Sequence, residues 1–120
     1  MSDLRAPSPP EIIAHRGYSA AAPENTLAAL RAALDAGADA VEFDVRSAGD
    51  GTPVLFHDAE LERTSTGEGP VASRTLEDLR ALDAGAWFSE AFAGEPIPSL
   101  AEALELVDGE VEHIYPEVKG

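Results

Sequence analysis

Four short groups of residues carry side chains able to do chemistry. His15-Arg16-Gly17 follows the short run Glu11-Ile12-Ile13-Ala14, which reads as a buried strand ending in a turn. A histidine exchanges protons near neutral pH. The planar fork of an arginine suits phosphate oxygens, and a glycine permits a tight turn and close backbone approach. The same tripeptide would also serve as a plain strand-end turn. Glu42 and Asp44 flank Phe43, so on a strand both carboxylates face one side and the ring the other. Carboxylates on the inner side of a sheet are costly unless paired or bound to a metal. Hard oxygen ligands of this kind suit Ca²⁺ or Mg²⁺; the alternative is a polar, solvent-facing strand edge. His57-Asp58 sets a histidine beside a carboxylate, where it can act as an acid or a base, or else marks a structural strand end. Glu117 and Lys119 repeat the alternate spacing. One face then carries a candidate metal ligand and a cation able to meet a phosphate, or else a surface salt bridge.

The elements that must position these groups follow from hydrophobic periodicity and punctuation. After the strand at 11–14, Asn25 is expected to cap a helix from Thr26 to about Ala36. Leu27, Leu30 and Leu34 recur on one face, and Gly37 stands where a helix stops. Ala40–Val45 reads as a strand with Glu42 and Asp44 alternating, giving a βαβ opening. Pro53–Phe56 is a further strand. Only eight residues separate Val45 from Val54, among them Gly49-Asp50-Gly51. A parallel crossover needs roughly a dozen or more, so an antiparallel hairpin is expected. Folding back near Asp50 sets Asp44 about opposite Phe56 and Glu42 about opposite Asp58, which brings the acidic pair and His57 into one neighbourhood.

Residues 58–73 read as loop, and Thr75-Leu76-Glu77-Asp78 opens a short helix with a box-like cap. The stretch 82–98 reads as irregular, packed down by Trp87, Phe88 and Phe92. Ser99 and Glu102 form a capping box for a helix to about Val107, with Gly109 beyond it, and 111–118 is a last strand. His113 has no evident partner and is read as structural. Each of the four chemical groups therefore lies at or near a strand end, where α/β barrels assemble their sites. Three carboxylates, two histidines, Arg16 and Lys119 make a consistent set for metal-assisted phosphodiester cleavage.

Composition narrows the partners. The 120 residues suit one domain, and 44% are hydrophobic, enough for a core. The formal net charge of −15 repels nucleic acid and anionic membrane. It repels an anionic phosphodiester too, so any phosphate site must bring its own local positive charge. The chain has no cysteine, which excludes disulfides and thiolate metal sites. No apolar run is long enough for a membrane-spanning helix. Residues 1–10 lack a basic segment followed by an apolar one and read as a Pro-rich tail without a signal peptide, so a cytoplasmic location is expected. Arg46 and Ala48 stand where an EF-hand loop starting at Asp44 would need oxygen ligands. There is no GxxxxGK[ST] loop and no GxSxG elbow.

From Ile12 to Lys119 the sequence resembles the glycerophosphodiester phosphodiesterase family. The resemblance runs through Ala14-His15-Arg16-Gly17, Pro23-Glu24-Asn25-Thr26, Gly37-Ala38-Asp39, Glu42-Phe43-Asp44-Val45, Asp50-Gly51, Pro53-Val54 and His57-Asp58. It continues through Leu61-Glu62-Arg63-Thr64, Leu82-Asp83-Ala84-Gly85, Ile97-Pro98-Ser99-Leu100 and Tyr115-Pro116-Glu117-Val118-Lys119. It implies an α/β, TIM-barrel-like (PLC-like phosphodiesterase) fold whose second strand is followed by a small hairpin. It implies Ca²⁺ or Mg²⁺ held by Glu42, Asp44 and Glu117, an acid–base pair of His15 and His57, and phosphate contacts from Arg16 and Lys119. The implied reaction turns a small-molecule glycerophosphodiester into glycerol 3-phosphate and an alcohol.

Ala48 departs from the family, which often has Thr there. Length departs further, because a TIM barrel typically takes about 250 residues. Residues 11–120 would thus supply the N-terminal portion of the domain: the first strands and helices plus the hairpin. Either the chain is a fragment, or copies associate to cover exposed barrel edges. The alternative to an enzyme is a truncated, non-catalytic remnant that binds metal or phosphate or docks to a partner. Within the enzyme class, a phospholipase D-like cleavage of intact lipids is the runner-up, disfavoured by the lack of a basic amphipathic helix.

Overall fold

The computed structural model describes residues 11–120, so the expected tail at 1–10 lies outside the described residues. The order is β1 (Ile13–His15), α1 (Leu27–Asp35), β2 (Ala40–Ser47), β3 (Pro53–Leu55), α2 (Leu76–Arg80), α3 (Leu100–Val107) and β4 (His113–Val118), with short 3₁₀ turns at Val71–Ser73 and Glu90–Phe92.

β2 is the central strand. β4 runs parallel to it from Ala40↔His113 to Val45↔Val118. β1 pairs parallel with its first half and β3 antiparallel with its last part, so these two occupy successive stretches of the opposite edge. The hairpin register is Val45↔Leu55, and the Phe56 amide donates to the Asp44 carbonyl at 3.1 Å. Asp44 therefore lies opposite Phe56, as the short connection predicts.

Alternation along β2 gives the sheet two unlike faces. Val41, Phe43 and Val45 pack with Leu30 and Ala33 of α1 and Ala103 and Val107 of α3. Burial of a side chain as large as Phe43 stabilises by about 1.5–3 kcal/mol. The opposite face carries Ala40, Glu42 and Asp44, with Ile13 and His15 of β1 on one side and His113, Tyr115 and Glu117 of β4 on the other. This is the inner surface of an incomplete barrel wall. Among the described residues β4 has a strand neighbour on one edge only, and it is exposed along nearly its whole length.

The segment after β3 has its own core, built from Val54, Phe56, Leu61, Val71, Leu79 and Ile97. The Asp83 carboxylate holds the following loop by accepting from the Gly85, Ala86 and Gly94 amides at 2.8–2.9 Å. Trp87, Phe88 and Phe92 make edge-to-face pairs with one another, and Trp87 stays exposed. Phe88 and Phe92 are half-buried and the Trp87 indole donates to the Ala84 carbonyl at 2.9 Å, so the aromatics help hold the loop down together with buried Ala84 and Ile97. Glu95 returns to α1, accepting from the Ala28 amide at 3.2 Å.

Two sequence expectations change. The α1 cap is Thr26, whose hydroxyl accepts from the Ala29 amide at 3.2 Å. Asn25 instead adopts φ 57, a left-handed conformation that asparagine tolerates, and its side chain leaves the helix. His113 does have partners: its Nε2 lies 3.5 Å from Glu11, and its ring stacks on Tyr115, whose hydroxyl donates to Glu11 at 2.8 Å. The capping box of α3 forms as expected between Ser99 and Glu102. No helix among the described residues is long and apolar enough to cross a membrane.

Candidate functional site

The site is assembled where β1, β2 and β4 deliver alternate side chains to the inner face. β1 ends at His15, and the chain then turns through two left-handed residues, Arg16 (φ 55) and Gly17 (φ 74). A Cβ on Gly17 would lie 2.7 Å from the Ala29 backbone, so the turn can sit against α1 only as glycine. Arg16 is held on both sides of its own strained conformation. Its amide donates to Glu42 Oε1 at 3.0 Å, and its carbonyl accepts from the Asn25 amide at 2.9 Å.

Glu42, Asp44 and Glu117 each turn one carboxylate oxygen into a space where those oxygens lie within 4.8 Å of one another. Asp44 is buried, Glu42 partly buried and Glu117 exposed. Three carboxylates so close repel unless countercharges stand by. Arg16 Nε sits 3.1 Å from Asp44 Oδ2, and Lys119 Nζ lies 3.8 Å from Asp44 Oδ1 and 2.8 Å from Glu117 Oε1. Burial, opposed by the Arg16 amide and reinforced by Asp44, pushes the Glu42 carboxyl above its usual range. Glu117 is held below its range by the Lys119 hydrogen bond, which in turn raises Lys119. An all-oxygen donor set with one buried and one partly buried member fits a hard divalent cation such as Ca²⁺ or Mg²⁺.

Around these carboxylates a cleft of about 370 Å³ is lined by His15, Arg16, Ser19, Glu42, Asp44, Glu117 and Lys119. Six of the seven residues expected from the sequence thus share one cavity. His15 Nδ1 lies 3.7 Å from Glu42 with its ring mostly exposed. His57 is the seventh and is not in the cleft lining. Its Nδ1 meets Asp58 Oδ1 at 2.6 Å, and its carbonyl accepts from Arg46 Nε at 2.7 Å. A second cleft, of about 400 Å³ and mainly apolar, adjoins at Lys119.

Sequence reasoning missed the residues that hold the site in place. Asn25 bridges to Asp44, its Nδ2 donating to Oδ2 and its Oδ1 accepting from the Asp44 amide, both at 3.0 Å. Arg63 donates to both Asp58 oxygens at 2.9 and 3.0 Å, and to both Glu24 oxygens at 3.2 and 2.8 Å. These hydrogen bonds draw the Asp58 carboxyl down to about 2. Glu24 also approaches Arg16, at 3.4 Å. The one available signal was that Glu24, Asn25 and Arg63 fall within the motifs of the family resemblance.

Parallel strands with helices against one face, and a polar cleft toward the strands' C-terminal ends, define the opening part of a TIM-like barrel. A family model for glycerophosphoryl diester phosphodiesterases matches residues 15–119. The chain is 51% identical over 96 residues to a glycerophosphodiester phosphodiesterase of Caldanaerobacter subterraneus, covering 80% of this chain and 40% of that protein. A crystal structure of glycerophosphodiester phosphodiesterase from Agrobacterium tumefaciens superposes with a TM-score of 0.88 at 43% identity, over 92% of this chain and 47% of that one. An Oleispira antarctica phosphodiesterase, solved in complex with the product sn-glycerol-3-phosphate, gives 0.88 at 45% identity, over 92% and 44%. The chain belongs to the glycerophosphoryl diester phosphodiesterase family. It spans less than half the length of these relatives.

Proposed function

We propose that this chain acts in the metal-dependent hydrolysis of glycerophosphodiesters, releasing glycerol 3-phosphate and an alcohol. The observation that carries this reading is the convergence of Glu42, Asp44 and Glu117 in one cleft with Arg16 and Lys119. A phosphodiester is anionic and gathers further charge on its equatorial oxygens in the transition state. In a strongly acidic protein, this cleft supplies the local cations such a substrate requires. Glu42, Asp44 and Glu117 would hold Ca²⁺ or Mg²⁺, which supplies Lewis-acid stabilisation of that charge. Arg16 and Lys119 bind and orient the phosphate oxygens. His15 and His57 are the acid–base pair: one removes the proton from the attacking oxygen, and the other delivers a proton to the leaving alkoxide. Across the full reaction one P–O bond to the alcohol breaks, one P–O bond forms, and water is consumed. A cytoplasmic setting, and self-association that covers the open barrel edge, belong to the same proposal.

One observation favours binding without turnover as a second reading. The inner face of β4 is open to solvent, so the cleft is wet on one side. The two readings separate in one assay, the release of glycerol 3-phosphate from glycerophosphocholine by the 120-residue chain. Turnover with Ca²⁺ or Mg²⁺, abolished by EDTA and by His15→Ala, supports the enzyme. Metal binding by a folded chain without product supports the binding module.

A further inference from the structure

Arg63 makes two complete forks. Nε and one terminal nitrogen clasp Asp58, and the two terminal nitrogens clasp Glu24. Asp58 Oδ1 also meets His57 Nδ1 at 2.6 Å, and the nearly buried Glu24 also meets Arg16 at 3.4 Å. A continuous chain of contacts thus runs from His57 through Asp58, Arg63 and Glu24 to Arg16. Its two ends are the histidine outside the cleft and the arginine inside it. We infer that Glu24 and Arg63 are positioning residues that couple the orientation of the His57 imidazole to the placement of the Arg16 guanidinium. This inference rests on the roles proposed above for His57 and Arg16.

The geometry gives each member a distinct task. Ionised Asp58 accepts a proton-bearing Nδ1, which fixes the tautomer and leaves Nε2 as the exchanging nitrogen. An aspartate beside a strand end could swing away from the ring. Two-point contact with a planar guanidinium removes that freedom, because a fork sets direction as well as distance. Arg63 would itself be a mobile surface arginine without an anchor, and Glu24 supplies one from the turn before α1. The same turn carries Asn25, whose side chain fixes Asp44 and whose amide donates to the Arg16 carbonyl at 2.9 Å, so one short segment holds both Arg63 and Arg16. Lysine at 63 would keep the charge, and hence the long-range field, yet could not make two forks.

The test uses the full chain and two readouts. Imidazole ¹⁵N shifts report the tautomer and hydrogen bonding of His57, identified by His57→Gln, with His15 and His113 as internal references. Titration with glycerol 3-phosphate reports the cleft. Arg63→Lys is expected to shift the His57 nitrogens toward averaged-tautomer values and to weaken glycerol 3-phosphate binding severalfold, while His113 is unmoved. Glu24→Gln, nearly the same size, is expected to move both readouts in the same direction, and it carries the test if Arg63→Lys fails to fold. A folded Arg63→Lys or Glu24→Gln protein with either readout unchanged overturns the coupling while leaving the proposed function standing. A wild-type chain that neither binds glycerol 3-phosphate nor turns over removes the proposed function, and the coupling with it, before any variant is made.

Discussion

Asn25 and Asp44 face each other through a matched pair of hydrogen bonds, amide nitrogen to carboxylate and amide oxygen to backbone N–H, both 3.0 Å. Both residues are buried, so neither can turn to water instead. Asn25 reaches this position only because its backbone is left-handed. Together these features make the turn before α1 a template for the buried member of the acidic cluster.

The first prediction dissects that template. Asn25→Ala removes both hydrogen bonds and puts a non-glycine, non-asparagine residue at φ 57. It should cost about 1–3 kcal/mol for the groups left unsatisfied, with about 1–2 kcal/mol more for the backbone. Asn25→Gly keeps the backbone conformation and loses only the hydrogen bonds, so its cost should be the smaller. Urea unfolding of the three proteins checks the order; equal costs for alanine and glycine would mean that the left-handed backbone contributes nothing.

A second prediction concerns Gly17. Its φ is 74, and an added methyl would fall 2.7 Å from the Ala29 carbonyl carbon and from the Ala29 Cβ. The clash is with helix backbone, which cannot rotate away. Gly17→Ala should lower stability by at least about 1–2 kcal/mol from the backbone conformation alone. It should also displace Arg16, whose amide and carbonyl are both tied down. Thermal unfolding reads the first effect, and weakened glycerol 3-phosphate binding the second.

What was legible in the sequence was local. The alternate spacing of Glu42 and Asp44 fixed their shared face, and the short connection through Asp50 fixed the hairpin register. Ser99 and Glu102 announced their own capping box. What was hidden depends on residues distant in sequence or on a choice between two local fates. An asparagine beside a threonine can cap a helix or turn left-handed, and the Asp44 across the sheet decides between them. Arg63 and Glu24 are 39 positions apart, and no spacing rule joins them. His113 finds Glu11 only because β4 and the residues before β1 flank the same strand.

A third prediction follows from Asp58, whose carboxyl is lowered to about 2, chiefly by hydrogen bonds from Arg63. A carboxyl depressed on folding contributes stability above its unfolded pKa of about 4. That contribution is lost as pH falls from there through about 2. Asp58→Asn should therefore be less stable than wild type at neutral pH, and the gap should close in that acid window. The pair is largely solvent-facing, so the gap should be modest and shrink at high salt. Stability measured across pH at two salt concentrations checks this; a gap that is undiminished on reaching pH values below about 2 would assign the loss to packing.

The last prediction separates charge from structure in the acidic cluster. Glu42 is the proposed ligand whose carboxyl is raised by burial, and its Oε1 also receives the Arg16 amide. Glu42→Gln keeps an oxygen for that amide while removing the charge that burial and Asp44 disfavour. Without metal, the variant should be no less stable than wild type. With metal the order should reverse. Ca²⁺ or Mg²⁺ at about 100 times its dissociation constant should stabilise wild type by about 2.7 kcal/mol, and Glu42→Gln should lose most of that gain because it offers one anionic ligand fewer. Thermal unfolding with and without each ion, with Glu117→Gln alongside, measures both halves. A variant that keeps the full metal response would remove Glu42 from the ligand set.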